Sequence, residues 1–123
     1  MPSFGTLKAD TLTHSTAGSL DTNYVVEGSS KSWIHGSTAA VPQDSLNVSS
    51  GTDNGTGDYT YTVTSAMGNT TFSQQVSCNG GELCAVKNAG FTTTYYNIIT
   101  YTRASSFTAA DQLNYGNLKG DLA

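Results

Sequence analysis

The chain has 123 residues, a net charge of −4 and an isoelectric point near 4.7. This length fits one small domain, and no stretch approaches the ~20 apolar residues of a membrane-spanning helix. The basic residues stand apart from one another: Lys8, Lys31, Lys87, Arg103 and Lys119. We therefore expect no nucleic-acid binding, because that function needs clustered cations.

The composition favours strands and turns. Charged residues make up 11% of the chain, against roughly 25% in ordinary soluble domains. Polarity is carried instead by 19 Thr, 15 Ser, 13 Gly and nine Asn. Thr is favoured in strands, whereas Gly, Asn and Ser are favoured in turns. The composition predicts an all-β fold, either a β-sandwich or a jelly-roll-like roll.

Residues 1–23 differ from the remainder, because their apolar side chains are sparse. We predict an extended N-terminal arm here, followed by a β-sandwich domain over residues 24–123. The arm is expected to dock on another subunit through Phe4, Leu7, Leu12 and Leu20; the alternative is a disordered leader. The first residues lack the apolar stretch of a secretory signal, so no export signal is expected.

Short strands are predicted at intervals of roughly ten residues, separated by Gly or Asn turns. They cover residues 24–26, 31–35, 46–49, 58–65, 70–77, 83–87 and 92–102. The tail, residues 107–123, is predicted to be a closing strand or an arm. Such regular spacing is typical of a sandwich or roll.

The clearest pattern is a hairpin within residues 46–67. Tyr59, Tyr61 and Val63 share one face of a strand, and Thr residues alternate with them on the other. The predicted core residues are Trp33, Leu46, Val48, Tyr59, Tyr61, Val63 and Ile98. The turn of this hairpin is predicted to be an exposed loop containing Asp53, Asn54, Gly55 and Asp58. It lacks the ligand spacing and terminal Glu of a calcium loop, so we expect a turn and no metal.

The run over residues 92–102 carries apolar side chains on both faces. Tyr96 and Ile98 lie on one face, and Tyr95, Ile99 and Tyr101 on the other. Such a strand is either central in a sandwich or part of a subunit interface.

Cys78 and Cys84 flank a glycine pair in CNGGELC. The glycines let the chain turn back, so the spacing allows a disulfide at the tip of a hairpin; the alternative is two reduced thiols. The spacing does not match a zinc motif.

No catalytic site and no cofactor are expected. Nucleophilic triads need a His beside a nucleophile, and the chain has only His14 in the N-terminal segment and His35 near Trp33. His35 is interpreted as a rim or core residue. The G-x-S-x-G motif is not present.

Several segments resemble short virion proteins of aquatic and cyanobacterial tailed bacteriophages, of the tail-fibre-like kind. These are LKADTL, VVEGSSKSWI, SLNVSSGTDNGTGDYTYTVTSAM and the final GDLA. The resemblance is strongest over residues 25–67. The chain departs from the family after Trp33, in CNGGELC and in TTTYYNIITYT.

The resemblance implies a non-enzymatic virion structural protein. We expect a homotrimeric tail-fibre or head-fibre component that is assembled in the host cytoplasm, released by lysis and exposed on the particle. Its expected partners are other capsid or tail proteins and a host surface, with a surface glycan as one receptor class. A capsid decoration protein that clamps capsomers is one alternative. A lectin-like carbohydrate-binding module is the alternative from another class.

Overall fold

Two antiparallel sheets stack face to face in a computed structural model that describes residues 8–87, 92–103 and 106–123. The predicted all-β sandwich is confirmed. The elements are β1 Thr11–His14, β2 Gly18–Asp21, α1 Thr22–Gly28, β3 Ser30–Gly36, β4 Pro42–Leu46, β5 Val48–Gly55, β6 Asp58–Val63, β7 Ser73–Cys78, β8 Leu83–Val86, β9 Tyr95–Thr102, β10 Thr108–Ala109 and β11 Asn114–Lys119.

The chain crosses repeatedly between the two sheets. Sheet I has the strand order β4-β3-β11-β7. Sheet II has the order β10-β9-β6-β5, and β8 also pairs with β9. The tail provides β11, which lies between β3 and β7 and so completes sheet I as a closing strand.

The core lies between the inner faces of the sheets. Alternation along β6 buries Tyr59, Tyr61 and Val63, and Ile98 of β9 is fully buried beside them. Sheet I contributes Ile34 and Leu118, together with small residues that admit the tyrosine rings. A Cβ on Gly36 would stand 1.9 Å from the Tyr61 hydroxyl oxygen, so this residue has no room for a side chain. The hairpin prediction for β5 and β6 therefore places the correct face inward.

Two predicted core residues, Trp33 and Leu46, are placed wrongly by the sequence pattern. Trp33 lies between the buried Ser32 and Ile34, so its side chain points to the outer face of sheet I and is half-buried. Leu46 pairs opposite Trp33 on that same face and is 47% exposed. Val48, also predicted in the core, is partly buried and packs against its margin.

The predicted strand at residues 24–26 is also wrong, since these residues lie in α1. Thr22 donates its N–H to the carbonyl of Asp10 and its hydroxyl to that of Ala9, which fixes the start of the helix. The Lys31 ammonium hydrogen bonds to the Val26 carbonyl near its end. These local bonds outweigh the strand preference of the Val-Val pair.

The predicted N-terminal arm is a folded hairpin and helix from residue 11 onward. β1 pairs with β2 so that Leu12 stands opposite Leu20, and both are partly exposed. Phe4 and Leu7 lie outside the described residues. In the described ranges, no helix is long and apolar enough to cross a membrane.

Candidate functional site

The outer face of sheet I concentrates aromatic and amide side chains. Strands β3, β7 and β11 alternate in burial, so every second residue points away from the core. Strand register arranges them in two rows across the sheet. The first row is Leu46, Trp33, Asn117 and Gln75, and the second is Asp44, His35, Tyr115 and Ser77. We call these eight residues the outer face of sheet I.

Two rings stack at the centre of this face. The His35 and Tyr115 ring centroids are 4.8 Å apart, with 29° between the planes. Stacked aromatic pairs contribute about 0.5–1.5 kcal/mol beyond the area that they bury. The stack therefore holds both rings in one orientation.

Amide groups lie beside the rings. The Asn117 side-chain nitrogen donates to the Ser30 hydroxyl at 2.8 Å. The Asn117 oxygen and His35 Nε2 are both buried, and neither has a hydrogen-bond partner among the described residues. Gln75, Ser77, Tyr115 and Asn117 line a shallow groove of about 390 Å³. The exposed Gln75 and Ser77 side chains give this groove both donors and acceptors next to an apolar ring surface.

A buried network of hydrogen bonds lies on the core side of sheet I, beneath the outer face of sheet I. The Tyr61 hydroxyl donates to Asn114 Oδ1 at 2.7 Å, and the Asn114 amide nitrogen donates to the carbonyls of Ser37 and Gln112. Burial raises the pKa of Tyr61 to about 12, and the hydrogen bond to Asn114 lowers it by less. Because Asn114 begins β11, this network fixes the strand that carries Tyr115 and Asn117.

A second network secures the hairpin turn. Asp111 Oδ1 accepts the Gly57 N–H at 2.7 Å and lies 3.3 Å from the Tyr59 hydroxyl, which in turn accepts the Gln112 N–H. Burial raises the pKa of Tyr59. All of these groups are occupied in holding loops together, so the network is structural.

The carboxylates of the predicted exposed loop are engaged in hydrogen bonds within the loop and in one ion pair beside it. Asp53 accepts the Gly55 N–H at 2.9 Å, and Asn54 hydrogen bonds to Asp58 and Thr60. Asp58 is half-buried and forms an ion pair with Lys87. Among residues 8–87, 92–103 and 106–123, no group of three or more His, Cys, Asp or Glu could hold a metal ion.

The remaining predicted site residues are spread over the molecule. Cys78 and Cys84 are half-buried free thiols at the edge of the sandwich. Leu12 and Leu20 lie in the N-terminal hairpin, and α1 beside it exposes Tyr24 and Val26 by 63% and 58%. The structure therefore does not join the predicted arm, loop and cysteines into one site.

The sequence interpretation missed Tyr115, Asn117 and Gln75. The only signal for the first two is the alternation in the segment NYGNLK, which becomes visible once this segment is recognised as a strand. Gln75 carries no signal of its own, because its position depends on the pairing of β7 with β11.

Comparisons with family models, curated proteins and solved structures gave no match to this chain.

Proposed function

We propose that this chain is a non-enzymatic structural protein of a bacteriophage particle. In this proposal it is a homo-oligomeric tail-fibre or head-fibre component that contributes to attachment at the host surface. The outer face of sheet I makes the contact.

The observation that carries this proposal is the paired His35 and Tyr115 rings with Trp33 beside them on a rigid sheet. Aromatic side chains bury a large area on binding at a low entropy cost, and they dominate the energetics of many interfaces. A sheet holds them in place before the partner arrives, so less conformational freedom is lost on binding. These are features of a contact surface.

The resemblance to virion proteins adds independent support. Its more specific segments are GSSKSW, which leads into β3, and NVSSGTDNGTGDYT, which forms the hairpin of β5 and β6. Both belong to the structural framework of the sandwich. A capsid decoration protein remains the competing placement in a particle.

Competition for adsorption tests the proposal. Purified protein, added to host cells before the phage that encodes it, should reduce adsorption of that phage. Trp33→Ala and Tyr115→Ala should each weaken this block about tenfold or more, as expected for interface aromatics. Thr52→Ala, on the exposed outer side of sheet II, is the matched control and should block like the wild type. An undiminished block by both aromatic variants would contradict the use of this face.

A lectin-like module is the second candidate, and the groove beside the ring stack favours it. Hydroxyl-rich ligands need paired donors and acceptors, which the exposed Gln75 and Ser77 provide beside an aromatic surface. A glycan array probed with the isolated wild-type protein and with Tyr115→Ala tests this function. Glycan binding that depends on Tyr115 supports it, and no binding to any glycan counts against it.

A further inference from the structure

The two cysteines occupy edge strands of different sheets. Cys78 is the last residue of β7 in sheet I, and Cys84 is the second residue of β8 in sheet II. A short 3-10 turn, Asn79–Gly81, joins the two strands, and Gly80 has the positive φ of 76° that such a reversal requires.

Both thiols face the interior between the sheets. Cys78 pairs with Asn114 and Cys84 pairs with Thr100, and both of these partners are fully buried. Cys84 also packs against the hydrophobic core. The two side chains therefore point into the same space at the edge of the sandwich.

The turn places the cysteines opposite each other. Gly81 is equidistant from them in sequence, and the Cys78 side chain lies close enough to Cys84 to act on its thiol. Strands β7 and β8 contact each other at the edge of the sandwich, although they belong to different sheets. A disulfide requires Cα atoms about 4.4–6.8 Å apart, and inward-facing residues on either side of so short a turn can reach that spacing.

We propose that Cys78 and Cys84 form an intramolecular disulfide that fastens sheet I to sheet II when the protein meets an oxidising small-molecule disulfide such as oxidised glutathione. This inference stands on the strand geometry and holds whether or not the chain is a virion protein.

The reaction is a double exchange. The Cys78 thiolate attacks one sulfur of oxidised glutathione, which forms a protein–glutathione bond and releases one reduced glutathione. The Cys84 thiolate then attacks Cys78 Sγ of this mixed disulfide, which breaks the bond to glutathione, forms the Cys78–Cys84 bond and releases the second reduced glutathione. Two electrons and two protons pass from the protein to glutathione.

The environment of Cys84 favours this order. Burial, with Cys78 as a further cause, raises the pKa of the Cys84 thiol to about 12. A thiol with so high a pKa is rarely ionised at neutral pH and attacks an external disulfide slowly. Once Cys78 holds a glutathione, the intramolecular geometry compensates for the low thiolate fraction of Cys84.

Peptide mapping after oxidation tests the proposal on the wild-type protein. The chain has glutamates only at positions 27 and 82, and Glu82 lies between the cysteines. After incubation with oxidised glutathione at pH 8, cleavage at glutamate should leave the peptides ending at 82 and beginning at 83 joined. Reduction should separate them. Two thiols that still react with iodoacetamide after this oxidation would overturn the proposal, as would cross-linked dimers in place of the internal bridge.

Thermal unfolding gives a second measurement. The bridge closes a short loop, so the oxidised protein should unfold about 5–10 °C above the reduced protein. The double variant Cys78→Ser, Cys84→Ser should show no such difference between oxidising and reducing conditions. An equal melting temperature for the oxidised and reduced wild type would contradict a bridge that fastens the two sheets.

Discussion

At the scale of single residues, one buried polar pair lies at the centre of the interior. Tyr61 and Asn114 are both fully buried, and each satisfies the other with a hydrogen bond of 2.7 Å. Gly36 leaves the space that the Tyr61 hydroxyl occupies. A buried amide without its partner is costly, so this pair selects one register between the sheets.

We expect Tyr61→Phe to lower the free energy of unfolding by about 1–3 kcal/mol, because Asn114 Oδ1 then loses its donor in the core. Tyr61→Ala should lower it by about 3–5 kcal/mol, because a cavity is added. Urea denaturation measures both changes. Tyr95→Phe is the matched control on the outer side of sheet II and should be near neutral. A neutral Tyr61→Phe would show that the pair does not stabilise the fold.

The buried tyrosines predict a loss of stability in alkali. Burial raises the pKa of Tyr61 to about 12 and also raises the pKa of Tyr59 and Tyr96. Tyrosines in the unfolded chain ionise near pH 10. Between about pH 10 and 12 the unfolded chain therefore loses protons that the folded protein retains, and the free energy of unfolding falls as the pH rises.

Below pH 10 the tyrosines are protonated in both the folded and the unfolded chain, so the free energy of unfolding does not fall for this reason. Denaturation curves at a series of pH values measure the fall, and a phenolate absorbance titration follows ionisation directly. The decline should be shallower in Tyr61→Phe. Ionisation of all seven tyrosines near pH 10 in the folded protein would contradict the expectation.

At the scale of secondary-structure elements, the sequence predicted strands better than it predicted their faces. The alternation in β6 identified Tyr59, Tyr61 and Val63 as buried, because one side of that strand is apolar and the other is Thr. In β3 the inward residues include Ser32 and Gly36, so the more apolar Trp33 suggested the wrong side. Which face is buried there depends on the bulky tyrosines of sheet II, which a local pattern does not contain.

The outer face of sheet I was unpredictable for a related reason. Its residues come from four strands, of which β7 and β11 lie far along the chain from β3 and β4, and β11 joins the sheet between β3 and β7. His35 and Tyr115 meet only through this pairing. Long-range register of this kind is not encoded in the spacing of neighbouring residues.

Asn47 forms the corner between β4 of sheet I and β5 of sheet II. Its φ is 56°, and its side chain donates to the carbonyls of Lys31 and Ser65 and accepts the Ser65 N–H. Asn47→Ala should cost roughly 2–4 kcal/mol, since it adds backbone strain and removes these bonds.

Asn47→Gly is the matched variant for this corner, because glycine tolerates the positive φ but makes no side-chain bonds. It should cost about 1–2 kcal/mol by urea denaturation. If Asn47→Gly were as stable as the wild type, the loss of stability in Asn47→Ala would come from backbone strain alone.

The N-terminal hairpin and α1 are expected to be dispensable for folding. No residue of α1 is buried, although Tyr24, Val25 and Val26 are apolar. A chain without residues 1–28 should therefore melt within roughly 2 °C of the full chain, yet fail to attach to particles if this segment is the anchor. Full occupancy of particles by the shortened chain would assign docking to the sandwich instead.

At the scale of the whole molecule, sheet II leaves an apolar strip on its outer side. Leu83 is 41% exposed opposite Tyr101, and Ile99 and Tyr95 lie half-buried along the same face. Exposed apolar patches of this kind are typical of protein interfaces. This strip is the surface that the proposed homo-oligomer would bury.

We expect the protein to sediment as a trimer at micromolar concentration. Leu83→Asp should shift it towards monomer, because a charge in an apolar contact is not compensated. Thr52→Asp, also exposed on sheet II, is the control and should leave the trimer intact. A wild-type protein that sediments as a stable monomer would contradict self-association.

The measurement that most directly tests the central claim is the distribution of this chain across a density gradient of particles from a phage lysate. Mass spectrometry of each fraction should find the chain in the particle band, at a constant ratio to the major capsid protein. A chain confined to the soluble fractions at the top of the gradient would contradict its assignment as a structural protein of the virion.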